Sequence, residues 1–191
     1  MDLFNKAMHS NDFGLRRYYP WSGYINHEPW VTGRVSNRER KYVWSHMQDV
    51  FWWDEMTVKR IENPFLWARY ALRYEEMRID SASRDVSEEI VIHATSISSA
   101  YEIADKNFNW RLAKRCRFGH GVSFARDADY AEAHASDNEA HIIAGILVAN
   151  CEIGNYGTRI PSYFSDTTVN RQDSVCVKYN DNEFYPYYIV Y

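Results

Sequence analysis

Ile90-Val91-Ile92 runs straight into His93, Ala94, Thr95 and Ser96. A β-branched run followed by an imidazole, a small residue and hydroxyls reads as a buried strand that delivers polar groups at its carboxyl end. On its own the stretch is ambiguous, because a histidine after an apolar strand is more often a satisfied core or surface residue than a site. Other chemistry-bearing residues are sparser. Cys116, His120, His134 and His141 are spaced C-x3-H-x13-H-x6-H, which matches no zinc pattern, and surface or pocket histidines are the better reading. Glu88 and Glu89 could supply a base, but a solvated pair at a strand entrance is the better reading. There is no phosphate-binding P-loop and no dinucleotide fingerprint, and Gly119-x-Gly121 alone is a weak signal. No nucleophile elbow supports a Ser/His/Asp hydrolase.

The elements that must position His93 follow from periodicity. The spacing of Tyr42, Val43, Met47, Val50 and Phe51 predicts a helix over about 38–52. Met56–Ile61 reads as a strand. Asn63-Pro64 is an N-cap followed by proline at the first helical position, and it opens a helix to about Met77 with Arg69, Arg73 and Glu76 on its solvated face. A polar linker over 80–87 leads to the Ile90–His93 strand. Ser96 or Ser98 then caps a helix to Lys106. A loop over 107–120, rich in cations, precedes the short apolar piece ending at Ala125, and a short helix spans 126–134. The nearly continuous apolar run 141–153 predicts one long central strand. Residues 154–173 form a loop. Strands over 174–179 and 185–191, joined by the Asn180-Asp181-Asn182 turn, close the chain. Helices first and then mostly strands predict an α+β fold.

The totals bound the class. At 191 residues, one domain with a full core is expected, and 46% hydrophobic residues exclude a disordered chain. A 16% aromatic content favours a core or groove lined with flat rings. A net charge of −4 argues against electrostatic nucleic-acid binding. The stretch Arg16–Tyr24 sets arginines beside aromatics, an arrangement that could stack on single strands, but packing of an N-terminal arm over 1–37 is the preferred reading. Three scattered cysteines predict free thiols in a reducing compartment. With no transmembrane run and no signal-peptide pattern, a soluble protein of the nucleus or cytoplasm is expected, with no membrane partner.

Blocks in a fixed order carry a resemblance. They are Val58–Trp67, Ile92-His93-Ala94-Thr95-Ser96, Asn107–Arg111, Phe118-Gly119-His120-Gly121-Val122-Ser123-Phe124-Ala125, and Asn180-Asp181 with Tyr185–Val190. Through them, residues 38–191 resemble the catalytic domain of the poly(ADP-ribose) polymerase family, and within it the dioxin-inducible mono-ADP-ribosyltransferase and its zinc-finger relatives. No zinc-finger or WWE-type module is recognised in the sequence, so the expected organisation is an irregular arm over 1–37 and the catalytic domain over 38–191. The resemblance implies two facing, mostly antiparallel sheets with flanking helices. It also implies transfer of ADP-ribose from NAD+ to an acceptor protein, itself included, without a metal.

Carried over position by position, the resemblance gives His93, Ser123 and Val175 the places of the family's catalytic triad. His93 would bond a ribose hydroxyl. Ala94 stands where a glycine's backbone holds the nicotinamide amide, which alanine can do only if the backbone needs no positive φ. Thr95 matches the neighbouring hydroxyl, Arg111 an adenosine or phosphate contact, and Gly121 the glycine-pair turn of the donor site. Ser123 replaces a tyrosine that stacks on nicotinamide. Ala131 stands near a serine that donates to the carboxamide, and His134 near a second stacking ring, with Tyr130 as the alternative. Val175 stands where mono-transferring members have an aliphatic residue. Losing one stack and one hydrogen bond weakens donor binding by about 1–3 kcal/mol, or roughly 5- to 150-fold. Two functions stay open: a mono-ADP-ribosyltransferase with a divergent pocket, or a degenerate member serving as a protein-interaction module.

Overall fold

The computed structural model describes residues 30–80, 85–113, 116–135 and 139–191. The arginine–aromatic stretch Arg16–Tyr24, most of the linker after residue 80, and Lys114 and Arg115 lie outside the described residues. Within them the strands are β1 (Trp30–Thr32), β2 (Val58–Glu62), β3 (Ser87–Thr95), β4 (Val122–Ala125), β5 (Ala140–Val148), β6 (Cys151–Ile153), β7 (Thr167–Val169), β8 (Val175–Lys178) and β9 (Phe184–Val190). The helices are α1 (Asn37–Met47), α2 (Pro64–Asp80), α3 (Ile97–Lys106) and α4 (Ala128–His134).

The fold is α+β, as expected. The strands make one hydrogen-bonded sheet in the order β1-β2-β9-β5-β3-β4-β8-β7-β6. Every pairing is antiparallel except β6 with β7. The two expected sheets appear as two halves of this ribbon. β3 and β5 pair along their whole length, from Ser87↔Val148 to Thr95↔Ala140. β3 and β4 meet at one pair, Ile92↔Ala125, and this seam divides the halves.

β5 is buried at every position, as a central strand must be. Ile143 and Leu147 face a core shared with α1, α2 and α4, while Ile142, Ala144 and Ile146 face a second core beneath α3. Burying each of its large aliphatic side chains contributes about 1.5–3 kcal/mol. Local signals set the helices. Ser36 and Glu39 form a reciprocal capping box at α1, with bonds of 3.2 and 2.7 Å. Asn63 Oδ1 accepts from Leu66 N at 3.2 Å, and its Nδ2 ties α2 to the Ala104 and Asp105 carbonyls of α3.

Several boundaries differ from expectation. α1 stops at Met47, where the Met47 carbonyl takes the N–H of both Val50 and Phe51 in a closing turn. The apolar spacing runs on because those two side chains still pack on the core. The run 141–153 is two strands, because the Asp166 carboxylate takes the N–H groups of Ala149 (3.1 Å) and Asn150 (2.7 Å) and ends the ladder there. The loop over 154–173 contains β7, which pairs with both β6 and β8. β1, within the expected arm, pairs with β2. Glu88 and Glu89 are not a solvated pair: Glu88 accepts from the Tyr70 (2.9 Å) and Tyr187 (2.5 Å) hydroxyls, and Glu89 holds Arg126. Arg73 is likewise engaged, with Glu183 and Glu76, rather than simply solvated.

Candidate functional site

The seam is where the predicted site residues other than Arg111 gather. β3 carries His93 just past its last pair with β4. The ring reaches across, and Nδ1 lies 3.0 Å from the Ser123 carbonyl. A carbonyl only accepts, so Nδ1 carries the proton and Nε2 keeps an acceptor lone pair. No protein group bonds that nitrogen among the described residues. The ring stands edge-on to Phe108 (5.3 Å) and Phe124 (5.9 Å), which pack with Phe184. Phe108 is fixed by Asn107, whose positive φ of 75° turns the chain and whose amide bonds the Asp181 and Phe184 carbonyls. Burial among these rings lowers the His93 pKa, and the Ser123 carbonyl only partly opposes it, so the imidazole is neutral at pH 7.

Ala94 and Thr95 continue β3, opposite His141 and Ala140 of β5. Ala94 is not among the described residues with positive φ, so its side chain costs the backbone nothing. The Thr95 and Ser123 hydroxyls make no hydrogen bond among the described residues. Ser123 sits opposite Val177 and Val175 opposite Ala125, so Ser123 and Val175 are diagonal neighbours across β4 and β8. Val175 is buried, with its amide bonded to Asn170 Oδ1.

Gly121 has a packing reason. A Cβ there would lie 2.2 Å from the Lys178 carbonyl, and one at Gly119 (φ +139°) would meet the Tyr179 hydroxyl at 1.7 Å. These glycines let β4 approach β8. Ala131 is a buried residue of α4. Four residues apart on that helix, Tyr130 and His134 stack on one another at 3.9 Å and 11°. The two candidates for the second ring are thus one aromatic platform. Arg111 stands apart, exposed on the short 3-10 turn Trp110–Leu112, over the Trp110 ring (4.5 Å) and 3.4 Å from Asp181.

One pair at this site was not singled out by the sequence. His141 is fully buried on β5 across from Ala94. Its Nε2 lies 3.1 Å from Glu132 Oε2 on α4, close enough for an ion pair if the ring were charged. The approach misses hydrogen-bond geometry, however, and neither ring nitrogen of His141 is hydrogen-bonded. Leaving such a buried group unbonded costs about 1–3 kcal/mol. Burial lowers the His141 pKa, Glu132 pulls it back, and the neighbouring His93 lowers it further. The available signal was a lone polar residue in an otherwise apolar strand.

Nucleophilic cysteine chemistry finds no support. Burial pushes the Cys176 thiol up to about 12 and raises Cys151 as well. Among the described residues no group of three histidine, cysteine or acidic side chains could hold a metal ion. His120 bonds the Tyr156 carbonyl, far in role from stacked His134 and buried His141. No helix among them is long and apolar enough to cross a membrane.

No family model matches the chain. Protein mono-ADP-ribosyltransferase PARP12 of Homo sapiens is 27% identical over 175 residues, covering 84% of this chain and 25% of the relative. Protein mono-ADP-ribosyltransferase PARP11 of Mus musculus is 29% identical over 86 residues, 44% of this chain and 26% of the relative. Protein mono-ADP-ribosyltransferase PARP10 of Mus musculus is 29% identical over 125 residues, 61% of this chain and 13% of the relative. The chain spans about a quarter of the length of the PARP12 and PARP11 relatives it matches. By sequence, the chain is a homologue of the poly(ADP-ribose) polymerase catalytic-domain family.

Proposed function

We propose that residues 38–191 form an NAD+-dependent mono-ADP-ribosyltransferase domain with its donor pocket at the β3–β4 seam. The observation that carries this reading is the His93 tautomer. The Ser123 carbonyl fixes the proton on Nδ1, so Nε2 presents a lone pair to a ribose hydroxyl. Ala94, in extended backbone, can offer its N–H and C=O to a carboxamide as a glycine would. The Tyr130–His134 platform supplies a flat face for a pyridine ring, in place of the ring missing at Ser123.

When NAD+ is bound, the bond between the anomeric carbon and the pyridine nitrogen breaks with its electron pair going to that nitrogen. The acceptor side chain bonds the anomeric carbon and gives up its proton. The chain's own contribution is to hold and orient the donor. Val175 offers no carboxylate to activate a second ADP-ribose, which limits transfer to one unit on an acceptor protein, this chain included. Arg111 is assigned to the outer, adenosine end. The setting would be the nucleus or cytoplasm.

The second reading, an inactive interaction module, is favoured by the joint absence of the Ser123 ring and the Ala131 hydroxyl. Incubation with NAD+ followed by intact-mass measurement decides between them. One ADP-ribose unit gained, and lost in His93→Ala, supports the transferase. Labelling that persists in His93→Ala removes His93 from the chemistry. No labelling together with no NAD+ binding leaves the interaction module.

A further inference from the structure

His141 is out of place by every local rule. It is the one polar side chain in a strand that is otherwise apolar and buried throughout. Its two ring nitrogens are buried without a hydrogen bond, whereas buried polar groups are as a rule bonded, and each exception asks for a reason. Its position is specific. The cross-strand register sets it beside Ala94, on the same face, and α4 lays Glu132 over that face directly after Ala131. Phe51 closes the other side of the ring edge-on at 5.5 Å. The Glu132 carboxylate lies at the boundary of this buried zone: Oε2 is buried against the imidazole, yet the side chain as a whole is 39% exposed.

We propose that Glu132 is a specificity-determining residue of the donor pocket, accepting the amide N–H of the nicotinamide carboxamide, and that buried His141 is the positioning residue that sets the Glu132 carboxylate beside Ala94. This rests on the NAD+ reading above. It gives the pocket a polar contact from the position next to Ala131, where the hydroxyl is absent. It requires an acceptor on the protein and an N–H on the ligand, so it selects a carboxamide over a ketone of the same shape.

The test is binding, by calorimetry, of NAD+, of the NAD+ analogue with an acetyl group in place of the carboxamide, and of ADP-ribose. The wild-type chain is expected to prefer NAD+ to the acetyl analogue by roughly tenfold, the effect of one hydrogen bond to a charged acceptor. Glu132→Met and His141→Met are both expected to bring that ratio close to one while ADP-ribose binding stays at the wild-type level. A wild-type ratio near one, or a ratio that survives either substitution, overturns the assignment while leaving the NAD+ reading intact. Loss of ADP-ribose binding in both variants also overturns it, since that marks a purely structural pair. If the wild-type chain binds neither NAD+ nor ADP-ribose, the donor reading fails, and the pair's role fails with it.

Discussion

Two buried polar clusters, one around Lys178 and one around His141, are built in opposite ways. In the first, Lys178 is fully buried, and its ammonium bonds the Leu147 carbonyl (2.6 Å), Asp166 (2.9 Å), Thr167 (2.9 Å) and Glu183 (2.8 Å). Asp166 in turn holds the Ala149 and Asn150 amides, and Glu183 also takes Arg73. Burial alone would raise the Asp166 pKa, but Lys178 and the surrounding donors outweigh it and hold it low. In the second cluster, His141 is equally buried, with the Glu132 carboxylate 3.1 Å away and neither ring nitrogen hydrogen-bonded. The first cluster is architecture: every group is matched, and the result is the break between β5 and β6. The second leaves the two His141 ring nitrogens without a hydrogen bond, across from Ala94. The unbonded imidazole lies next to the pocket proposed on the His93 tautomer, whereas the Lys178 cluster has every group engaged in the fold.

Substituting the matched cluster should produce the largest effect. Lys178→Met leaves Asp166 and Glu183 without their shared cation and should destabilise the fold by about 3–5 kcal/mol in urea unfolding. A cost under about 1 kcal/mol would mean the network is not the architectural element described here. His141→Met should cost far less, because no bond is lost.

Acid should expose the unmatched side. His93 and His141 are both held below the ordinary value of 6.5 by burial, so the unfolded chain protonates first as the pH drops. Their contribution to stability is therefore complete above pH 6.5 and is lost as the pH falls from there through their folded values. Each contributes a slope of at most about 1.4 kcal/mol per pH unit. His141→Met should flatten this acid slope, and an unchanged slope would mean the ring is not kept neutral by the fold.

The glycine approach tests the seam from the architectural half. Gly121→Ala pushes a methyl against the Lys178 carbonyl and should cost about 1–3 kcal/mol, read as a lowered thermal midpoint. Were Gly121 needed only for donor contact, stability would hold and NAD+ binding alone would drop. The smallest effect sharpens the pocket: Ser123→Tyr restores a stacking ring and should tighten NAD+ by roughly 2- to 12-fold, about 0.5–1.5 kcal/mol, in calorimetry. Unchanged affinity would imply that the Tyr130–His134 platform already fills that role.

What the sequence disclosed follows the range of its signals. Asn63-Pro64 located the start of α2 because an N-cap and a proline act within one turn. The β-branched run before His93 marked β3, although its pairing extends three residues further back, to Ser87. The Ser36–Glu39 capping box is an equally local signal for the start of α1. β7 could not be read locally, since Thr167-Thr168-Val169 becomes a strand only through its partners β6 and β8. The end of β5 depends on Asp166, which lies well along the chain from the amides it caps. The His141–Glu132 pair is legible only by half: His141 stands out as the lone polar residue of an apolar run, but its partner appears only when the register sets His141 beside Ala94 and α4 lays Glu132 above it.

The place of β9 has a consequence for how the chain acquires its shape. The last strand in the sequence is an interior one in the sheet, seated between β2 and β5 and paired to both. Until residues 184–190 arrive, β2 has no contact with the rest of the sheet through that ladder, and β5 has one naked edge. Joining Val58 to Val190 closes a loop of nearly the whole domain, a contact order that slows folding. A chain lacking residues 184–190 therefore holds β2 and the β3–β5 pair without the strand that joins them, and it leaves one edge of the wholly buried strand β5 open to other chains.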